Sequence, residues 1–135
     1  YRLRVEVEAG AAALAATHRT AAQLEAIKLA LRQSEQHPDD WEADAKSAVD
    51  FHLAIIQAAN NPYFVRIMGH LDSVIRDAVR TLRFRCLGTS RIEEIDGEHE
   101  RIADAIERQD ANAARAAMRE HLEHGINGYR NLFGN

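Results

Sequence analysis

Residues 41–62 read WEADAKSAVDFHLAIIQAANNP, and this stretch decides the fold class. Asp39, three residues before Glu42, supplies a helix-opening pair of the capping-box kind. Trp41, Val49, Ile55 and Ile56 then recur at helical spacing to about Asn60. Asn61-Pro62 closes the segment and restarts the chain, with asparagine as the N-cap and proline at the first helical position. Inside the stretch, His52 has Ala48, Val49, Ile55 and Ile56 one turn to either side. A polar ring therefore occupies a position that the helical period assigns to the core.

The same punctuation repeats outward. Leu3, Val7, Ala11 and Leu14 stripe a first helix over roughly residues 1–17. Thr20 with Gln23 forms a capping box before a second helix carrying Leu24, Ile27, Leu29 and Leu31 to about Ser34. His37-Pro38 closes it, because the residue before proline is biased away from helical angles. Downstream, Phe64, Ile67, Met68, Leu71, Ile75, Ala78 and Leu82 mark one continuous fourth helix that fades at Gly88. Ser90 with Glu93 opens a fifth helix and Asp110 a sixth. No segment alternates apolar and polar residues over a strand's length. The reading is all-α: an antiparallel bundle of about six helices with short connections, one domain over residues 1–135.

Composition narrows the function classes. A formal charge of −4, from 17 basic and 21 acidic residues, argues against DNA binding by this chain alone. No apolar run is long enough for a membrane span, and no signal segment opens the sequence. The single cysteine, Cys86, cannot form an internal disulfide, which points to the cytoplasm, and it reads as a small buried residue. The chain starts at Tyr1 in what is already helical sequence, so it reads as a piece of something longer.

Seven histidines remain. His18 and His37 fall in polar connections, His70 lies beside an apolar stripe, and His124 follows His121 by a turn. Three others interrupt core stripes on three different helices. These are His52, then His99 among Ile92, Ile95, Ile102, Ala103 and Ile106, and His121 among Ala114, Ala117, Met118, Leu122 and Gly125. Each alone could be a core histidine with local hydrogen-bond partners. Together they offer a ligand set for a divalent ion, since three imidazoles with an open position suit zinc and similar metals. Periodicity does not say whether they converge.

Catalytic residues are not expected. The sequence has no Gly-rich phosphate loop, no paired zinc-protease histidines and no nucleophile elbow. Glutamate three residues before histidine, as in di-iron bundles, precedes none of the three. Glu98 and Glu120 adjoin His99 and His121 in sequence, so they project about 100° away from them.

In order and spacing, several pieces resemble a known family. They are Arg4 with Glu8 followed by Ala15-Ala16, Asp50-Phe51-His52-Leu53-Ala54-Ile55 leading to Asn61-Pro62, Glu98-His99 with Ile102, Ala105-Ile106 and Asp110, then Met118 and His121-Leu122. Over essentially its whole length the chain resembles the C-terminal effector-binding (FCD) domain of FadR-subfamily GntR-type bacterial transcriptional regulators. The resemblance implies a bundle with a central cavity for a small carboxylate effector. It also implies a homodimer, and a winged helix-turn-helix DNA-binding domain that precedes this one and is absent from the chain. Many members hold a divalent metal, zinc or nickel, on an aspartate and three histidines. His52, His99 and His121 match the histidines, and Arg4 matches a first-helix arginine that can pair with the effector carboxylate.

The aspartate does not carry over. Its place, four residues before His52, is Ala48. Asp50 lies about 200° around the helix from His52, and Asp44 is two turns away. The site is then either a three-histidine metal centre completed by water or effector, or a metal-free cavity whose histidines bind the effector directly. For Arg4 the alternative is an i to i+4 salt bridge to Glu8. Arg76, Arg80 and Arg83 share a face and read as a solvated or dimer-facing edge. Two other functions stay open on the residues alone: a stand-alone metal-dependent enzyme with an open three-histidine site, and an unliganded structural dimerisation bundle.

Overall fold

The computed structural model describes residues 2–35 and 39–133. These form seven helices and no strand: α1 Arg2–His18, α2 Ala21–Glu35, α3 Trp41–Ala58, α4 Pro62–His70, α5 Asp72–Arg85, α6 Arg91–Glu107 and α7 Ala111–Phe133. None is long and apolar enough to cross a membrane. Tyr1 and the His37-Pro38 stop signal lie outside the described residues.

α1 occupies the middle of the bundle. Ala9, Ala11, Ala12, Ala13, Ala15 and Ala16 are all buried, and such short side chains let neighbouring helix axes approach closely. α1 packs against α7, α3, α6 and α4, while α2 covers the outside of α3. The main core joins Val5, Ile27, Phe51, Ile55, Ile102, Ile106, Met118 and Leu122. A smaller one gathers Ala11, Ile56, Ala59, Met68 and Ile75 under α4 and α5.

Several caps form as the sequence implies. Gln23 N donates to Thr20 Oγ1 at 3.1 Å and Thr20 N to Gln23 Oε1 at 3.0 Å. Asn61 caps α4 through Tyr63 N, and Asp110 caps α7 through Ala113 N, each at 3.0 Å. Two assignments need correction. The cap of α3 is Asp40, which accepts from Ala43 N at 3.1 Å, so the start lies one residue beyond Asp39. Ser90 makes no side-chain cap bond, and Thr89 Oγ1 accepts from Arg91 N instead.

The single fourth helix of the sequence reading is two helices, α4 and α5, joined at Leu71 (φ −102°, ψ 3°). Gly69 weakens the end of α4 by about 1 kcal/mol relative to alanine, and Asp72 favours a fresh helix start at its own first turn. The apolar stripe hides the break because Met68 and Ile75 enter the same core on either side of it.

Asn60 ends α3 in the left-handed region, φ 54°, a conformation that asparagine tolerates better than most residues. Its side chain donates to His18 O at 2.8 Å and to Gln23 Oε1 at 3.0 Å, tying the α1–α2 turn to the α3–α4 turn. Asn60→Ala should therefore lose about 1–2 kcal/mol of stability in urea unfolding. Asn60→Gly, which relieves the backbone but not the lost bonds, should fall between alanine and wild type. An unchanged Asn60→Ala midpoint would show that the clasp contributes nothing.

Candidate metal and effector site

His52 on α3, His99 on α6 and His121 on α7 are all buried and meet inside the bundle. One ring nitrogen from each lies within 4.8 Å of the other two. His99 Nε2 is 3.1 Å from His121 Nε2, and His121 Nε2 is 3.3 Å from His52 Nε2. Phe51 stacks on His99 at 4.6 Å between centroids and fixes that ring from behind.

Carboxylates hold the outward faces of two of the rings. His52 Nδ1 lies 2.5 Å from Glu8 Oε1, and the other Glu8 oxygen accepts from Arg4 Nε at 2.5 Å. His121 Nδ1 is 3.0 Å from Glu98 Oε1, while Glu98 Oε2 takes His124 Nδ1 at 2.6 Å. A carboxylate against Nδ1 keeps the proton there, so the Nε2 lone pair faces inward. In that tautomer the Nε2 atoms of His52 and His121 face each other across 3.3 Å.

The electrostatics follow from burial and these pairs. Burial works to raise the carboxyl of Glu8, but the His52 and Arg4 charges and hydrogen bonds outweigh it and hold the group at about 2. Glu98 also settles at about 2, burial being overcome by its hydrogen bonds to His121 and His124. Burial drives His99 well below its ordinary range, with the nearby His121, His52, Arg83 and Arg4 adding to the effect. Burial likewise lowers His121 to about 4, against the upward pull of Glu98. Neutral imidazoles are the metal-binding form.

A cavity of about 30 Å³ adjoins the histidines. Its walls include Arg4, Ala48, Val79, Leu82 and Arg83. Arg4 is thus both at the cavity wall and paired with Glu8. Ala48 leaves the wall bare where a carboxylate would have stood. Asp44 is committed elsewhere, accepting from Ser34 Oγ at 2.5 Å and Arg83 Nη1 at 2.9 Å. Asp50 pairs with Lys46 on the outside of α3.

Three residues escaped the sequence reading or were misplaced by it. Arg83 is only 2% exposed. It is no solvated edge but a buried cation between Asp44 and Asp96, reaching Asp96 Oδ1 at 3.1 Å from both terminal nitrogens. Arg76 and Arg80 do stay outside, paired with Asp72 and Glu42. Glu98 does turn from its neighbour His99, but it meets His121 on the facing helix. Glu8 had been weighed only as a partner for Arg4. Cys86 is buried, and burial raises its thiol despite Arg91 and Arg83 nearby, which suits an inert packing residue.

Residues 1–124 match the FCD domain family. The chain belongs to that family. It is an FCD effector-binding domain of the kind carried by GntR-type transcriptional regulators. Among curated relatives, this FCD domain is 34% identical over 132 residues to the HTH-type transcriptional regulator LutR of Bacillus subtilis (strain 168), covering 94% of the chain and 60% of LutR. It is 32% identical over 120 residues to the putative L-lactate dehydrogenase operon regulatory protein of Escherichia coli (strain K12), covering 88% of the chain and 46% of that protein. With the transcriptional repressor NanR of Escherichia coli (strain K12) it shares 31% over 121 residues, 90% of the chain and 46% of NanR. The FCD domain thus spans about half to three-fifths of these relatives. Among solved structures, E. coli McbR/YncC superposes with a TM-score of 0.81 at 22% identity, over 96% of this chain and 66% of that one. That likeness speaks for the fold alone.

Proposed function

We propose that this FCD domain is the ligand-sensing part of a cytoplasmic transcriptional regulator. It binds a small organic acid at a three-histidine metal centre and so controls DNA binding by a winged helix-turn-helix domain elsewhere in the protein. One observation carries the reading: one ring nitrogen from each of His52, His99 and His121 lies within 4.8 Å of the other two, and Glu8 and Glu98 hold two of the rings from their outward Nδ1 side. A divalent cation resolves that arrangement. With Zn–N bonds of 2.0–2.1 Å, tetrahedral geometry separates ligand nitrogens by about 3.3–3.4 Å, close to the 3.1 and 3.3 Å seen here. Zinc and nickel both suit imidazole ligands. Three protein ligands leave an open position, and a bound cation there supplies a Lewis-acid contact for a carboxylate.

The chain's own residues do the remainder. Arg4 and Arg83 place guanidinium groups at the cavity wall, each already paired with carboxylates. Ala48 leaves room where a fourth protein ligand would block the acid. Glu98 is engaged by His121 Nδ1 and His124 Nδ1, away from the Nε2 cluster, and the relatives named above are regulators. Control of DNA binding requires the acid to prefer one of two arrangements of the dimer.

The test is metal-dependent ligand stabilisation. Metal-stripped protein should melt higher with zinc or nickel, and higher again when L-lactate or another small carboxylic acid is added with the metal. L-lactate comes first because one relative is named for an L-lactate dehydrogenase operon. Ala48→Asp should tighten zinc binding and weaken the acid response, since its carboxylate competes for the open position. No shift with either metal and with any acid would overturn the reading.

A further inference from the structure

A surface pocket of about 550 Å³ opens beside the α5–α6 turn, with Ser34, Trp41, Asp44, Ile92 and Asp96 in its walls. It lies about two helical turns from the buried histidines, along the same helices that hold the inner cavity. On α3, Asp44 faces this pocket, Ala48 the inner cavity and His52 the cluster, in steps of four residues. On α6, Ile92 faces the pocket, Ile95 the cavity and His99 the cluster. The antiparallel α5 keeps the order in reverse: Leu87, just past its end, lines the pocket, and Arg83 and Val79 line the cavity. Residues three and four apart share a helix face, so pocket and cavity are two ends of one lane between α3, α5 and α6.

A cluster of ion pairs divides that lane. Arg83 lines the inner cavity, and its guanidinium reaches outward to Asp44 Oδ2 at 2.9 Å and Asp96 Oδ1 at 3.1 Å, carboxylates that line the outer pocket. The two partners are unequal. Asp44 has 13% of its side chain exposed and also accepts from Ser34 Oγ, whereas Asp96 has 31% exposed. A pair open to water contributes little, while a sealed one is costly to break. Asp96 is therefore the member that can let go. We propose that the outer pocket is the vestibule through which a small carboxylic acid reaches the histidine cluster, and that the Arg83–Asp96 pair is its gate. Asp96 turns out to solvent while the acid's carboxylate takes its place on Arg83, so the guanidinium keeps a counter-charge throughout. A neutral molecule of the same size offers no such exchange, and the gate thereby favours anions.

The lane leads to the site of the proposed function, yet its test needs neither metal nor effector. Ala48→Cys, in a Cys86→Ala background, puts a thiol on the inner cavity wall. Iodoacetate, itself a small carboxylic acid, alkylates that thiol and releases iodide. Asp96→Asn should speed the labelling roughly tenfold by weakening the hold on Arg83. Glu93→Trp, at an exposed position on the pocket wall, should slow it. Normalised to a free thiol in solution, iodoacetate should outpace its neutral counterpart iodoacetamide. A control thiol from Ala30→Cys sits in the main core on α2, away from the lane, and should label at the same slow rate in each background. Labelling indifferent to both Asp96→Asn and Glu93→Trp, a rise at both reporter thiols alike, or a normalised preference for iodoacetamide would each overturn the gate. Zinc binding, read separately on the wild type, would still stand if the route lay elsewhere.

Discussion

Glu8→Gln is expected to cost about 3 kcal/mol of stability in the metal-free protein, because it leaves the Arg4 guanidinium buried beside a neutral amide. Glu8 is inaccessible to water and answers both Arg4 and His52. An amide can still accept one hydrogen bond, but it cannot neutralise Arg4. The pH dependence separates this from a packing defect. The folded protein holds the Glu8 carboxyl at about 2, below its ordinary 4.5. A depressed carboxylate contributes stability that is complete above the ordinary value and is lost as pH falls toward the folded one. Wild type should therefore weaken between about pH 5 and pH 2, and the gap to Glu8→Gln should narrow over that window. Urea unfolding in chelator at pH 7, 4 and 3 reads it. A gap that stayed constant with pH would show that shape, not charge, set the loss.

His99→Ala is expected to reduce bound zinc from one ion per chain to a trace, and His121→Ala to do the same. Each removes one of the three ligands that the proposed centre offers. Glu98→Gln keeps all three nitrogens but loosens the ring of His121, so its effect should be smaller, in the range of 10- to 100-fold in metal affinity. That ordering, ligand above carboxylate, is the signature of a metal centre. A polar core without metal predicts the reverse concern, a stability loss with no change in metal content. Metal analysis of the purified variants, with titration of stripped protein, distinguishes the two. Equal metal in wild type and both histidine variants would remove the metal from the proposal.

Much of this architecture was legible in the sequence because it is local. Thr20 with Gln23, Asn61 with Pro62, and Asp110 each act within one helical turn, so spacing alone reveals them. The three histidines were visible as polar rings in aliphatic stripes. Their meeting was not, because a period gives the face of a helix and not what stands opposite. Glu98 illustrates the difference: its angle from His99 was right, yet its partner sits on α7. A usable signal did exist. Glu98 falls between Ile95 and Ile102 at helical spacing, and Glu8 shares a stripe with Ala11, Ala12 and Ala15, so both carboxylates were marked as inward-facing. Arg83 gave less warning, since Arg76 and Arg80 on the same helix are exposed. The break at Leu71 gave least, because the buried stripe runs through it unaltered.

The size of the cavity has a kinetic consequence. About 30 Å³ accommodates roughly two waters, and even the smallest hydroxy acid is larger. Ala78, Val79, Leu82 and Arg83 place much of its wall on α5, which rests chiefly on α3. For the acid of the proposed function, uptake is then expected to be slower than collision, because α5 has to shift to make room; stopped-flow binding at the collision rate would overturn this.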